Sequence, residues 1–323
     1  MAEKKELLIL AEYSQERIHP VVYELLNKGR ELAERADLKL SVLILTPKKI
    51  NLDELIYHGA DRVYLMEDKK FMEPDEYLYK ENIISFLNKL NPEIILTGAT
   101  HFGRSLAPRL AAALKAGLTA DCTELDIDKA GQLIQIRPAF SENILAHIKS
   151  KTKPQMATIR YQEFAKAKRD DAREGEIIEV KSTSFENTGL KEVKKISEKK
   201  INITEAEVIV AGGSGLKNAK DFEMLQELAD IFGGVVAASR DVVDAGLIAK
   251  EHQVGYSGQR VKPKIYFAFG ISGAPQHLAG MKEAETIIAV NTDASAPIFN
   301  AADYGITADL YEVIPEMIKN YRK

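Results

Sequence analysis

The sequence predicts an α/β protein built from two open, mainly parallel α/β sheet domains. Three observations carry that expectation. Short apolar runs alternate with amphipathic stretches at both ends of the chain, the pattern of strand–helix–strand units whose crossover helices cover a parallel sheet. A mixed-charge stretch at about 165–205 separates the two regions. A length of 323 residues suits roughly two domains.

In the first region, Leu7 to Ala11 reads as a buried strand, and Val21 to Ala36 as a helix with Leu25, Leu26, Leu32 and Ala33 on one face. Strand Leu40 to Leu45, a short helix Leu52 to His58 and strand Arg62 to Leu65 follow. A helix from about Asp75 to Leu90, strand Ile94 to Thr97 and a helix Arg104 to Lys115 come next. From Thr119 to Arg160 several short strands read as a smaller appended sheet. Residues 166–174 and 191–200 are mixed-charge runs, read as solvated linker with one strand, Ile177 to Val180. The expected domains are therefore 1–200 and 201–323.

The second region opens with strand Val208 to Ala211, which runs into Gly212-Gly213-Ser214-Gly215 and then a helix from Ala219 to Phe232. Strand Gly234 to Ala237, a helix opening near Arg240, strand Ile265 to Phe269 and a helix opening near Gly273 follow. Strand Thr286 to Val290 and a helix Leu310 to Asn320 complete it. Open sheets of this kind bind ligands at the carboxyl ends of their strands.

Composition excludes several function classes. A net charge of −4 lacks the basic excess of a nucleic-acid binder. The single cysteine, Cys122, permits no internal disulfide and no all-cysteine metal or cluster site. No apolar run approaches the roughly 20 residues of a membrane span, and the charged N-terminus does not read as a secretory signal. These readings favour a cytoplasmic protein without membrane insertion. The six histidines show no metal-ligand spacing. Asp121, Glu124, Asp126 and Asp128 lack a calcium-loop pattern and read as solvated strand positions. Phe267 and Phe269 read as core rather than as stackers for a ligand ring.

Three glycine-rich turns carry the candidate chemistry. Gly213-Ser214-Gly215 stands between strand and helix, where backbone N–H groups can cradle a phosphate; tight packing explains the same glycines equally well. Ser272-Gly273-Ala274-Pro275-Gln276-His277 again opens a helix after a buried strand, and its Ser, Gln and His side chains can donate to an anion or a heteroaromatic edge. Val254-Gly255-Tyr256-Ser257-Gly258 is the third.

Longer stretches around these turns carry a family likeness. Gly270-Ile-Ser-Gly-Ala-Pro-Gln-His-Leu-Ala-Gly-Met281, Ala237-Ala-Ser-Arg-Asp-Val-Val-Asp-Ala-Gly246 and Ala296-Pro-Ile-Phe-Asn-Ala-Ala-Asp-Tyr-Gly305 resemble the α subunit of electron transfer flavoproteins. Gly117-Leu-Thr-Ala-Asp-Cys-Thr123 and Arg137-Pro-Ala-Phe140 match as well. The resemblance implies a Rossmann-like FAD-binding second domain and a heterodimer whose β subunit completes the FAD site. It implies Ser239 and the backbone around Ser272 to Gln276 against the phosphates and ribityl chain, Ser257 near flavin N5, His277 near the N1/O2 edge and Arg240 beside the isoalloxazine. Asn291 and Asp309-Leu310 would hold the adenosine end. Ser214 stands where the family commonly has arginine, Tyr256 and Gln259 where it has glutamine and lysine, and Ser141-Glu142 where it has two glycines. The implied role is an electron carrier for dehydrogenases of acyl-CoA type, or a subunit of an NADH- and ferredoxin-linked bifurcating system. The alternative is a non-redox scaffold subunit that holds NAD or AMP.

Overall fold

The computed structural model describes residues 5–14, 16–72, 75–139, 144–183 and 202–322. Two compact units divide the chain, Met1–Glu192 and Val193–Lys323. The charged run 191–200, Phe140 and Ser141-Glu142 lie outside the described residues.

Unit 1 runs β1 (Glu6–Ala11), β2 (Tyr13–Ser14), β3 (Arg17–Ile18), α1 (Val21–Arg35), β4 (Lys39–Thr46), α2 (Asp53–Tyr57), β5 (Arg62–Glu67), α3 (Glu76–Leu90), β6 (Ile94–Gly98) and α4 (His101–Leu114). It continues through β7 (Leu118–Cys122), β8 (Glu124–Ile127), β9 (Leu133–Ala139), β10 (Ile144–Ile148), β11 (Gln155–Ile159) and β12 (Glu176–Glu179). The main sheet has the order β12-β5-β4-β1-β6-β11-β7, and every pair in it is parallel.

The alternation of side chains along a strand builds two cores from one sheet. Leu7 and Ile9 of β1, with Val42 and Ile44 of β4, join α1 and α2 in one apolar cluster. Leu8 and Leu10, with Leu43 and Leu45, join α3 and α4 in the other. Both faces are thus helix-covered, which explains why these strands read as continuous apolar runs. Helix ends follow local chemistry. The Asp75 carboxylate accepts from the Tyr77 and Leu78 amides, and Asn91 stops α3 in the left-handed region. Thr100 caps α4, which starts at His101, three residues before the expected start at Arg104.

Two expectations need correction. Of the short strands between Thr119 and Arg160, only β8, β9 and β10 form a separate antiparallel sheet; β7 and β11 extend the main one. β11 pairs with β6, more than 50 residues upstream, and β7 joins the sheet through β11; periodicity is blind to such distances. The stretch after 165 is not solvated linker as far as Thr183. Arg169 pairs with Glu54 at 3.0 Å and Arg173 with Asp61 at 3.0 Å, while β12 pairs in parallel with β5. Charges read as solvent-facing strap this segment to α2 and β5.

Unit 2 contains β13 (Val208–Gly212), α5 (Asp221–Ile231), β14 (Val235–Ala238), α6 (Arg240–Asp244), β15 (Ile265–Phe269), α7 (Pro275–Leu278), β16 (Thr286–Asn291), β17 (Tyr304–Thr307) and α8 (Leu310–Tyr321). Its sheet is parallel, with the order β14-β13-β15-β16-β17. The edge strand β17 has four exposed residues, so no apolar run announces it. Phe267 and Phe269 are buried on the face covered by α5 and α8. The opposite face carries Ile209, Ala211, Tyr266 and Ala268, and is sealed by Val254, Val261, Ile271, Met281 and Ile298 from irregular segments.

Candidate functional site

Those irregular segments converge at the carboxyl ends of β13, β14 and β15, held by main-chain hydrogen bonds. The Gly213 amide donates to the Phe269 carbonyl at 2.9 Å and the Gly215 amide to the Gly270 carbonyl at 3.0 Å. Ser239 N donates to Gly212 O at 2.9 Å, Val254 N to Ala238 O at 2.9 Å, and Tyr256 N to Gln276 O at 2.7 Å. All three predicted turns and the Ser239-Arg240 segment therefore form one frame. Its closeness demands glycine at particular points. A Cβ on Gly213 would stand 2.5 Å from the Gly270 oxygen, and one on Gly273 would stand 2.6 Å from the Ile298 Cα at a φ of +88°.

This geometry decides the reading of the first turn in favour of packing. The Gly213 and Gly215 amides serve the frame rather than a phosphate cradle. Helix α5 begins only at Asp221, and its carboxylate accepts from the Lys217 amide at 2.8 Å, the Asn218 amide at 3.0 Å and the Tyr311 hydroxyl at 2.6 Å. Burial works to raise the Asp221 pKa, but the Tyr311 hydroxyl and the loop amides outweigh it and hold the carboxyl below its usual value. An internal anion already occupies the place where a phosphate would meet this helix.

What the frame presents outward is side chains. Ser214, Arg240, Tyr256, Ser257, Ser272 and Gln276 are all exposed. The Ser214 hydroxyl donates to Asp241 at 3.1 Å, and Ser257 Oγ accepts from the buried Gln253 amide at 3.0 Å. Arg240, 66% exposed, pairs through Nε with Asp244 at 2.9 Å. A cation preceding an anion by four residues opposes the helix dipole, so this pair is weak. Asn291 is committed locally: its amide donates to the Ile271 carbonyl at 3.0 Å and its oxygen accepts from the Asp293 amide at 2.9 Å. Asp309 caps α8 through the Tyr311 amide at 2.9 Å. Leu310 is buried against the glycines, its Cδ2 3.1 Å from where a Gly215 Cβ would lie.

Two buried polar atoms lack partners here: Ser239 Oγ and His277 Nδ1. Burial pushes the His277 imidazole down to about 4, against the opposing pull of the Val254 carbonyl and the Asp241 charge. The ring is therefore neutral at physiological pH. Its other nitrogen, Nε2, lies 3.0 Å from the hydroxyl of Tyr266.

Residues 7–184 match the electron transfer flavoprotein domain, and residues 202–282 match the electron transfer flavoprotein FAD-binding domain. The chain belongs to the electron transfer flavoprotein family. Within that family it is similar to α subunits. The electron transfer flavoprotein subunit alpha of Thermoanaerobacterium thermosaccharolyticum is 43% identical, covering 100% of this chain and 99% of the relative. That of Megasphaera elsdenii is 41% identical over 100% of this chain and 98% of the relative. Lactate dehydrogenase (NAD(+),ferredoxin) subunit LctC of Acetobacterium woodii is 40% identical over 97% of this chain, and 76% of that longer protein is covered. The recognised likeness to electron transfer flavoprotein α subunits is thereby confirmed.

The electron transfer flavoprotein FAD-binding match contains the whole frame from Gly213 to His277 and stops short of Asn291, Asp309 and Leu310. The donor set fits a flavin nucleotide. Exposed hydroxyls, an amide and a guanidinium suit phosphate and ring heteroatoms, and Ser239 Oγ and His277 Nδ1 are buried polar atoms with hydrogen-bonding capacity to spare. Reading the sequence missed Tyr266, Gln253 and Asp241, the residues that hold His277, Ser257 and Ser214. Tyr266 carried a signal: a polar-tipped aromatic in an otherwise apolar strand, out of phase with Phe267 and Phe269. Gln253 and Asp241 carried none, since their partners are set by the fold of the turns.

Among the described residues there is no group of side chains that could hold a metal, and no helix long and apolar enough to cross a membrane. The acidic stretch is engaged in ion pairs. Asp121 meets Arg104 at 2.8 Å and Arg160 at 3.1 Å, Asp126 meets Arg35 at 2.5 Å, and Asp128 meets Lys149 at 2.6 Å.

Proposed function

We propose that unit 2 binds FAD at the edge built by Ser214, Ser239, Arg240, Val254 to Ser257 and Ser272 to His277, and that a β subunit completes the site in a heterodimeric electron carrier. The observation that carries this is the pair of unpartnered buried atoms, Ser239 Oγ and His277 Nδ1, inside the segment matching the family's FAD-binding domain. When bound, FAD supplies reversible one- and two-electron transfer. Ser239, Ser272 and Gln276 would hold the phosphates and ribityl chain, with Gly213 and Gly215 as the floor of the frame. Arg240 can leave Asp244 at little cost and offer its charge to the electron-rich ring. Ser257, fixed by Gln253, and neutral His277 would serve as hydrogen-bond partners for the ring's nitrogen and oxygen edge. Asn291, Asp309 and Leu310 would bound the adenosine end mainly as a shaped wall, because their polar atoms already hold the protein together.

The proposed electron donors are dehydrogenases of acyl-CoA type or related enzymes, in the cytoplasm. Similarity to a subunit of a lactate dehydrogenase named for NAD(+) and ferredoxin supports a bifurcating variant in which ferredoxin is a further partner. The functional boundary lies near residue 200, between the two family matches. Co-expression with the β subunit encoded by the same organism tests the reading. A yellow heterodimer that releases FAD on denaturation is expected. A colourless product that binds only AMP or NAD overturns it in favour of a scaffold role.

A further inference from the structure

We infer that Tyr266 is a positioning residue that sets the tautomer of His277, fixing its Nδ1 as the hydrogen-bearing nitrogen directed at the bound ligand. The inference rests on the proposed flavin site for its ligand, and on the protein alone for the tautomer. Tyr266 is 0% exposed and His277 is 6% exposed, and the Tyr266 hydroxyl lies 3.0 Å from His277 Nε2.

Neutral imidazole carries one proton, on either nitrogen. Suppose first that it sits on Nε2. The imidazole then donates to the phenol oxygen, and the Tyr266 hydrogen is left buried without an acceptor, since the imidazole is its hydrogen-bond partner. The Nδ1 lone pair is also left unpaired in a buried position. Two polar groups are orphaned.

Now place the proton on Nδ1. The Tyr266 hydroxyl donates to Nε2 and is satisfied, leaving one orphan, the Nδ1–H. Each buried unsatisfied group costs roughly 1–3 kcal/mol, so the second arrangement prevails by about fivefold or more in population. The phenol keeps its proton to donate because complete burial raises its pKa. The Val254 carbonyl pulls on the ring and favours an N–H over a lone pair at Nδ1, at a geometry too poor to satisfy that group fully. The remaining orphan is thus a donor in a wall of the candidate site.

Tyr266 earns its place through this hydrogen bond as well as through packing. It lies on the face of β15 opposite Phe267 and Phe269, within the cluster sealed by the turns. A phenylalanine there would fill the same volume and leave His277 free to choose its tautomer.

Nitrogen-15 NMR of the full-length chain with labelled histidine, assigned by comparison with His277→Asn, reads the tautomer directly without any cofactor. The expected wild-type signals are a protonated Nδ1 and an unprotonated, hydrogen-bonded Nε2, unchanged between pH 6 and 8. Tyr266→Phe should shift the ring toward a mixture of tautomers, and in the heterodimer it should weaken FAD binding about tenfold while leaving unit 2 folded. A wild-type ring protonated at Nε2, or a tautomer that Tyr266→Phe does not alter, overturns the inference. The wild-type spectrum alone decides the tautomer should Tyr266→Phe fail to fold. If the wild-type tautomer is as stated but FAD leaves both His277 resonances unmoved, the flavin contact is overturned while the role of Tyr266 in setting the tautomer stands.

Discussion

Unit 1 and unit 2 are both parallel α/β sheets, yet they close their second faces differently. In unit 1, α1 and α2 cover one face and α3 and α4 the other. In unit 2, α5 and α8 cover one face, while the other is sealed by the turns that present Ser214, Ser257, Ser272 and Gln276. Helices do the packing in the first unit, whereas in the second the turns that pack the core also present the candidate site. A side chain such as Tyr266 is simultaneously core and support.

The largest expected effect breaks the unit 2 frame. Gly273→Ala places a Cβ 2.8 Å from the Pro297 carbonyl carbon at a φ of +88°. Left-handed strain and overpacking together should destabilise unit 2 by about 3 kcal/mol. Hydrogen-exchange mass spectrometry should show the loss in peptides of β13–β16 and none in β1–β6; equal loss in both sets would mean that the units do not unfold independently.

The two units should also respond oppositely to pH. In unit 1, the buried Glu24 carboxyl accepts from the Gln162 amide at 2.9 Å, but burial dominates and raises its pKa to about 7. The native state then binds an extra proton between about 4.5 and 7, so unit 1 loses stability as pH rises through that window. In unit 2, the lowered His277 pKa has the opposite consequence. The native state binds fewer protons between about 6.5 and 4, so stability is lost as pH falls. Each term is worth on the order of 3 kcal/mol. Exchange protection measured from pH 4.5 to 7.5 should show crossing trends, and Glu24→Gln should flatten the unit 1 trend alone.

Much of this contrast was legible in advance. Strands such as β1 and β15 announced themselves because complete burial forces continuous apolar runs, and Pro275 at the first position of α7 marked a helix start. The frame was legible as glycine-rich turns, although their reason was not. Gly213 and Gly215 looked like a phosphate cradle because sequence cannot show that Phe269 and Gly270, more than 50 residues on, take up those amides. For the same reason β12, although legible as a strand, read as isolated within linker: its partner β5 lies over 100 residues upstream.

A smaller effect is expected at Asp121, which adopts a φ of +63° between Arg104 and Arg160. Burial works to raise its pKa, yet the arginines hold the carboxyl below its ordinary value. Its contribution is therefore present at neutral pH and lost as pH falls through the native pKa, below about 4. Asparagine tolerates the left-handed backbone, so Asp121→Asn isolates the charge and should cost unit 1 about 1 kcal/mol in urea unfolding at pH 7.

The smallest stability effect should come from Arg240→Ala, within about 0.5 kcal/mol, since its pair with Asp244 is exposed at both ends. Its proposed role appears elsewhere. Losing a cation beside the flavin should lower the first midpoint potential of the heterodimer by tens of millivolts, on the scale of roughly 59 mV per 1.4 kcal/mol. An unchanged potential with full FAD content would leave Arg240 as a surface ion-pair residue.

The main-chain stitching of the turns also bears on how such a protein diverges. Three of the positions read from the resemblance as departures lie in unit 2: Ser214 and Tyr256 are exposed on the frame, and Gln259 is half-buried with its amide on the Glu251 carbonyl. Of the three side chains only Ser214 reaches another segment of the frame, at Asp241; the remaining stitching is done by backbone atoms of Gly213, Gly215, Val254 and Tyr256. Lineages can therefore exchange these side chains of the proposed site one at a time, without first passing through a misfolded ancestor. The scaffold behaves like a socket whose pins can be replaced individually, and drift in redox properties across relatives should concentrate at those pins.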